Sequence, residues 1–353
     1  MKIRLFGLLI VIPLLYAASE PVPAPEPLKP YVNEEGRFEP GDYGWIRGAF
    51  DDATPAQKDN YRAITEWADE CSTFAQQELH GKLAAVGFPN ANLTRTPVGR
   101  RECYSFGQPF LQDKSSFAAF EEGIAEARPV IDTFLAALRI ATTVSASYGS
   151  GPDVKPPSLA RKLETRIVGD QMARMAFTWG SGMEPDSPQL GAIGRSIFLF
   201  RLTAVMAMLD EANTDWLKAI VAERGWPKIS DVGEEASSKA WLLVQHADHD
   251  PLFQLEVLRL MDPLLEQNEV SKSNYAYLYD RVMLKLAGKQ RYGTQVLCTD
   301  GVRRPLPLED EAKINVHRAA MGLDPVDDYI AGMNEAIPCE SLLENSIKPA
   351  PTS

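Results

Sequence analysis

Between Ser187 and Asp210 the chain contains the run IFLFRLTAVMAML, which is apolar on nearly all sides of a helix. Such a helix is stable in water only when neighbours cover it all round. The run therefore predicts a central buried helix with others packed about it, and the flanking sequence supplies them. Thr54-Pro55-Ala56-Gln57 is a helix start, with a threonine N-cap, proline at the first helical position and a glutamine to close a capping box. Tyr61, Ile64, Trp67, Cys71, Phe74 and Leu79 then recur at helical spacing. A second helix is expected from Ser116 to about Ser145, with Pro129 kinking or splitting it. A third follows Ser158, and the apolar run forms the fourth, ending at Asp210.

Shorter elements come next. TDWLKAIVAERGWP reads as a helix closed by Gly225, with Pro227 behind it. Asp231-x-x-Glu234 reads as a capping box for the helix carrying Trp241. Asp250-Pro251 and Asp262-Pro263 each read as an N-cap followed by an N1 proline. Tyr275, Leu278, Tyr279 and Val282 mark an amphipathic helix closed by Gly288. The period then changes: in QRYGTQVLCTDGVRRPLPL the dipeptide Asp300-Gly301 sits between apolar-rich flanks, a hairpin signal. Helices around 309–321 and 325–335 close the pattern. The fold class expected is mainly α, a multi-helix bundle-like array with one small β-hairpin near 290–306. It divides into an N-terminal helical region at 40–185 and a C-terminal helical domain at 186–336.

The ends carry other information. Lys2 and Arg4, an apolar stretch from Leu5 to Leu15 and small residues at 17 to 19 follow the plan of a secretory signal peptide over 1–18. The apolar stretch is too short to span a bilayer. A proline-rich linker, extended and mobile, is expected at 19–39, and a tail at 337–353. Export places the protein in the periplasm or outside the cell, where cysteines oxidise. Four cysteines allow three pairings; proximity favours Cys71–Cys103 and Cys298–Cys339 over the others, with four buried thiols as the alternative. The net charge of -12 argues against nucleic acid and anionic membrane surfaces as partners. No insertion in a membrane is expected after signal cleavage.

The chemistry concentrates in WLLVQHADHDPLF, residues 241 to 253, which holds two of the four histidines. On one continuous helix, His246 with Asp250 or His249 would suit a metal. Pro251 disfavours that geometry by biasing Asp250 out of the helical region. One helix is expected to end near Asp248 and another to start at Pro251. His246 then lies in a last helical turn beside two carboxylates, an arrangement suited to proton transfer or to a purely structural hydrogen bond. Two more polar groups interrupt apolar surroundings. Asp280 and Arg281 stand among tyrosines, and Gln290, Tyr292, Thr294 and Gln295 share a short loop or strand.

GWPKISDVGEEASSKAWLLVQHADHDPLFQ, YAYLYDRV, GKQRYGTQ and VHRAAMGLDPVDDYI together resemble a bacterial family of unknown function over roughly residues 205 to 335. The resemblance implies that Gln245, His246, Ala247 and Asp248 fill a QHAD motif and Phe253 and Gln254 an FQ. Asp280, Arg281 and Val282 fill a DRV, Gln290 and Tyr292 to Gln295 a QxYGTQ, and Arg318 is a late arginine. His249 falls at a variable position. No activity comes with the family.

Two functions follow from these readings. One is an exported, metal-independent acid–base enzyme, a hydrolase or lyase that needs no cofactor. In it His246 is the general acid or base and Asp248 orients it, while Gln245, Asp280, Arg281, Gln290, Tyr292, Thr294 and Gln295 hold the substrate. These residues are expected to converge on one cleft. The other is a non-catalytic binding or scaffold protein recognising a peptide or cell-wall fragment. No GxSxG is present to mark a serine nucleophile.

Overall fold

The computed structural model describes residues 23–339, apart from 95, 98–102, 104–105, 112, 148–157 and 183. The expected signal peptide and most of the expected tail lie outside the described residues. Among the described residues the fold is mainly α with a single two-stranded hairpin. In chain order the helices are α1 (Pro55–Ala85), α2 (Phe117–Ser147), α3 (Leu159–Gly180), α4 (Ala192–Arg224), α5 (Ile229–Val232), α6 (Glu234–Gln245), α7 (Pro251–Met261) and α8 (Lys272–Ala287). The hairpin strands β1 (Val296–Thr299) and β2 (Val302–Pro305) precede α9 (Ile314–Ala320) and α10 (Val326–Ala336).

Helix α4 is the central element, packed against α2, α3 and α6. Ile197, Phe198, Leu202 and Ala207 of the apolar run are buried, but Met208 is exposed, so the run is central without being covered on every side. It also continues unbroken through Asp210 to Arg224, where two helices were expected. Asp210 and Asn213, which break the apolar pattern, lie inside the helix as buried polar groups. Pro129 does not split α2, which runs continuously past it. A side chain at Gly123 would stand 2.5 Å from Ile193 Cγ2, so glycine permits the α2–α4 approach.

Two apolar cores lie along α4. The first is rich in aromatic rings and joins Trp45, Phe50, Trp67, Phe117 and Phe120 to Ile197 and Phe198. The second joins Leu163, Ile167, Leu217 and Val221 to Leu243, Phe253, Leu258, Leu278 and Val282. Helices α3 and α4 contribute to both cores, so the division expected at 185/186 does not separate them. The part of the expected mobile linker that lies among the described residues is packed against the body of the protein. Leu28 and Phe38 are buried in the first core, and prolines stiffen the 3-10 turn Glu26–Tyr31.

Some of the local start signals hold, and others yield to a neighbouring backbone geometry or to another partner. Thr54 forms the full capping box with Gln57. Asp250 caps α7, its Oδ1 accepting the Phe253 N–H at 3.0 Å. Asp231 does not cap α6; Gly233, at φ 86°, takes the N-cap position. Asp262 is not an N-cap: it is the C-cap residue of α7, and its carboxylate accepts the Tyr275 hydroxyl at 3.0 Å. Asp300 and Gly301 turn the hairpin at φ 52° and 74°, as a type I′ turn requires. Both favoured disulfides are formed: Cys71–Cys103 and Cys298–Cys339, with Cα separations of 5.8 and 5.7 Å.

Candidate functional site

Helix α6 ends at Gln245 and His246 is its C-cap, followed by a turn in which the Asp250 N–H donates to Ala247 O at 2.9 Å. Gln254 holds this corner from below. Its amide donates to the last carbonyls of α6, Val244 O at 3.0 Å and Gln245 O at 3.4 Å. Val244 O also accepts the Ala247 N–H at 3.0 Å, so Gln254 of the FQ motif adds a side-chain clamp to a helix end that the turn already closes.

The corner turns His246 towards α3. Its Nδ1 lies 2.9 Å from Oδ1 of Asp170, which is fully buried. Arg174, one turn further along α3, reaches the same carboxylate oxygen at 3.2 Å and Asp210 Oδ1 at 2.9 Å. Asp170, Arg174, Asp210 and His246 thus form one polar cluster where the end of α6 meets α3 and α4.

The electrostatics set the two carboxylates apart. Burial works to raise the Asp170 carboxyl, but the His246 hydrogen bond and the positive charges of His246 and Arg174 outweigh it and leave the group below its ordinary range. At Asp210 burial prevails over Arg174 and the carboxyl is raised. An ionised Asp170 can only accept a hydrogen bond, so the proton of this pair sits on Nδ1 and Nε2 is the position for proton exchange. One ligand-type atom from each of Asp170, Asp210 and His246 lies within 4.8 Å of the others. That trio could hold a cation, and the Arg174 guanidinium already supplies one to both carboxylates.

Asp248 does not orient His246. It accepts from Arg281 Nε at 2.9 Å and also pairs with Arg281 Nη2 and Lys285 Nζ. Burial alone would raise its carboxyl, but these two cations hold it far below the usual carboxylate range. Burial in turn lowers the Lys285 ammonium. The reason is reach: Asp248 follows the helix end and faces α8, while His246 faces α3. Arg281, expected to hold substrate, is thus occupied in an ion pair.

The remaining motif residues bind backbone. Asp280 is fully buried and accepts three main-chain N–H groups, from Arg291 at 2.8 Å, Tyr292 at 2.9 Å and Thr294 at 2.8 Å. Gln290 is also fully buried; its amide donates to Gln295 O at 2.8 Å and Leu306 O at 2.9 Å, and its carbonyl accepts the Gln295 N–H. The Gln295 amide reaches Thr294 Oγ1 at 3.2 Å. Arg318 donates to Tyr292 O at 2.7 Å, and Tyr329 to Thr294 O at 3.0 Å. Asp280, Gln290, Tyr292, Thr294 and Gln295 are therefore brought together as a bracket fixing the hairpin to α8. Gln245 is half-buried at the end of α6, beside His246.

Sequence reasoning missed Asp170, Arg174 and Asp210. The signal was present: Asp170 falls on the apolar stripe Leu163, Ile167, Ala173 of α3, where a carboxylate has no place unless it is paired.

No curated protein and no solved structure matches the chain. The carboxyl-terminal match fits the resemblance drawn from the motifs and leaves Asp170 and Arg174 outside it. Residues 190–340 match the model of a family of unknown function (DUF6624).

Proposed function

We propose that the protein is an exported acid–base enzyme, a hydrolase or lyase acting without a metal, in which His246 moves the proton and Asp170 orients it. The observation that supports this most is the 2.9 Å contact between His246 Nδ1 and a fully buried carboxylate. An imidazole held in this way has a fixed tautomer and a fixed orientation, as a general base requires. Arg174 fills the cation's place between the two carboxylates, which favours the metal-independent form. Export is supported by the pattern at residues 1–18 and fits the two disulfides, which suit an oxidising compartment.

The alternative is a binding or scaffold protein for a peptide or cell-wall fragment. Asp280, Gln290 and Arg281 do not carry it, because their polar groups are spent on backbone or on an ion pair rather than on a cleft.

The test is a thermal-shift screen of the purified protein against metabolites and cell-wall fragments, followed by turnover assays on every hit. His246→Ala is expected to lower kcat by about 10²- to 10⁴-fold with an unchanged circular dichroism spectrum, and Asp170→Asn by less. Full turnover in folded His246→Ala refutes the enzyme. Binding without turnover in the wild type supports the binding protein.

A further inference from the structure

Helices α2, α3 and α4 part along one edge to form a cleft of about 400 Å³. Its charged groups have a single sign. Lys162 and Arg166 stand one turn apart on α3, and among the described residues no carboxylate lines the cleft. In a chain of net charge -12 such a wall is out of keeping with the rest of the molecule.

Arg166 is held in place. Its guanidinium lies over the Trp216 ring at 4.5 Å and donates from Nη1 to Asn213 Oδ1 at 3.1 Å. One of its five donors is used in this way, which leaves a forked cation available to an oxyanion. Burial lowers its pKa, and among the described residues no neighbouring carboxylate offsets the effect. Asn213 is 4% exposed and lines the same cleft, and its Nδ2 is buried with no hydrogen-bond acceptor among the described residues. Leu209, Ala146 and the side-chain-free Gly169 provide the apolar part of the wall.

We infer that this cleft binds a small organic anion, a carboxylate or phosphate with a compact apolar body, its charge received by Lys162, Arg166 and Asn213. The cleft volume lies within the range of small-molecule sites. Lys162 brings long-range attraction, Arg166 brings directional donors, and the Asn213 amide gains the acceptor it lacks. The inference goes beyond the acid–base reading and does not rest on it. The two sites are nonetheless neighbours, because Gly169 and Leu209 immediately precede Asp170 and Asp210.

The probes are benzoate, phenyl phosphate and the uncharged benzyl alcohol, titrated into the purified protein by calorimetry. At least one anion is expected to bind about tenfold more tightly than benzyl alcohol, and its affinity to fall with added salt. Preference for phenyl phosphate assigns the site to phosphates, and preference for benzoate assigns it to carboxylates. Lys162→Gln, at an exposed position, should weaken binding several-fold without altering the fold, and Arg166→Gln should weaken it further. Thr165→Glu, which places a carboxylate on the cleft wall, should abolish it. Three results overturn the inference: no binding of either anion by the wild type, equal binding of benzyl alcohol, or undiminished affinity in Thr165→Glu. None of these readouts depends on turnover, so failure of the enzyme reading leaves them intact.

Discussion

Replacing Asp280 with alanine removes the acceptor of three main-chain N–H groups at once. The donors come from Arg291, Tyr292 and Thr294, and the contacts are short, 2.8 to 2.9 Å. A buried donor left without a partner costs about 1–3 kcal/mol. Tyr292 and Thr294 are buried, whereas Arg291 is half-buried and water can satisfy its N–H. Counting two donors, the expected loss is about 2–6 kcal/mol. The loop cannot relax freely to reduce this, because Gln290, Arg318 and Tyr329 hold it from other sides. We expect about 3–5 kcal/mol, a large fraction of a typical domain's stability. Asp280→Asn should cost less: its remaining oxygen still serves Arg291 and Tyr292, while its amide meets the Thr294 N–H donor to donor. The assay is guanidinium unfolding followed by circular dichroism, compared through midpoints at constant slope. A loss below about 0.5 kcal/mol for Asp280→Ala, the range of ordinary surface substitutions, refutes the bracket. So does a larger loss for asparagine than for alanine. Unchanged stability with lost ligand response would return Asp280 to a substrate-binding role.

Two further outcomes follow from the same geometry. Asp248 has its carboxyl lowered by Arg281 and Lys285, so its contribution is complete above the unfolded carboxylate value of about 4 and is lost as pH falls below it. Urea midpoints between pH 7 and 3 should decline more steeply below about pH 4 in the wild type than in Asp248→Asn, which starts lower because two part-buried cations lose their partner; parallel profiles would contradict this. Breaking Cys298–Cys339 with Cys298→Ser and Cys339→Ser should lower stability by about 3–4 kcal/mol in the chain-entropy model for a separation of 41 residues, and a midpoint unchanged from that of the oxidised wild type would contradict it.

Much of the architecture was legible in the residues because it rests on local physics. The capping box at Thr54, the N-cap at Asp250, the turn at Asp300-Gly301 and the close of α8 at Gly288 depend on interactions within a few positions. The helical apolar period determined the mainly α class, and the spacing of the cysteines pointed to the two disulfides that form. The failures have separate causes. Pro129 lies inside a continuous helix because packing against α3 and α4 on either side of it outweighs one missing hydrogen bond. Asp231 and Asp262 lost their N-cap roles to local glycine geometry and to a distant tyrosine.

At the site the division falls between neighbours in sequence and neighbours in space. The corner at His246, with one helix ending and another beginning at Pro251, follows from proline's exclusion of the preceding residue from the helical region. Which carboxylate His246 meets was beyond local reasoning. Asp248 is two positions away and turns to Arg281 and Lys285, while Asp170 is 76 positions away and is delivered by the packing of α3 against α6. A side chain's direction from a helix end depends on the angle at which the next helix departs, and only the packed cores set that angle. The sequence by itself determined that His246 would stand at a polar helix corner. The tertiary structure alone decided its partner, because a buried carboxylate survives only where packing brings it a hydrogen-bond donor and a counter-charge.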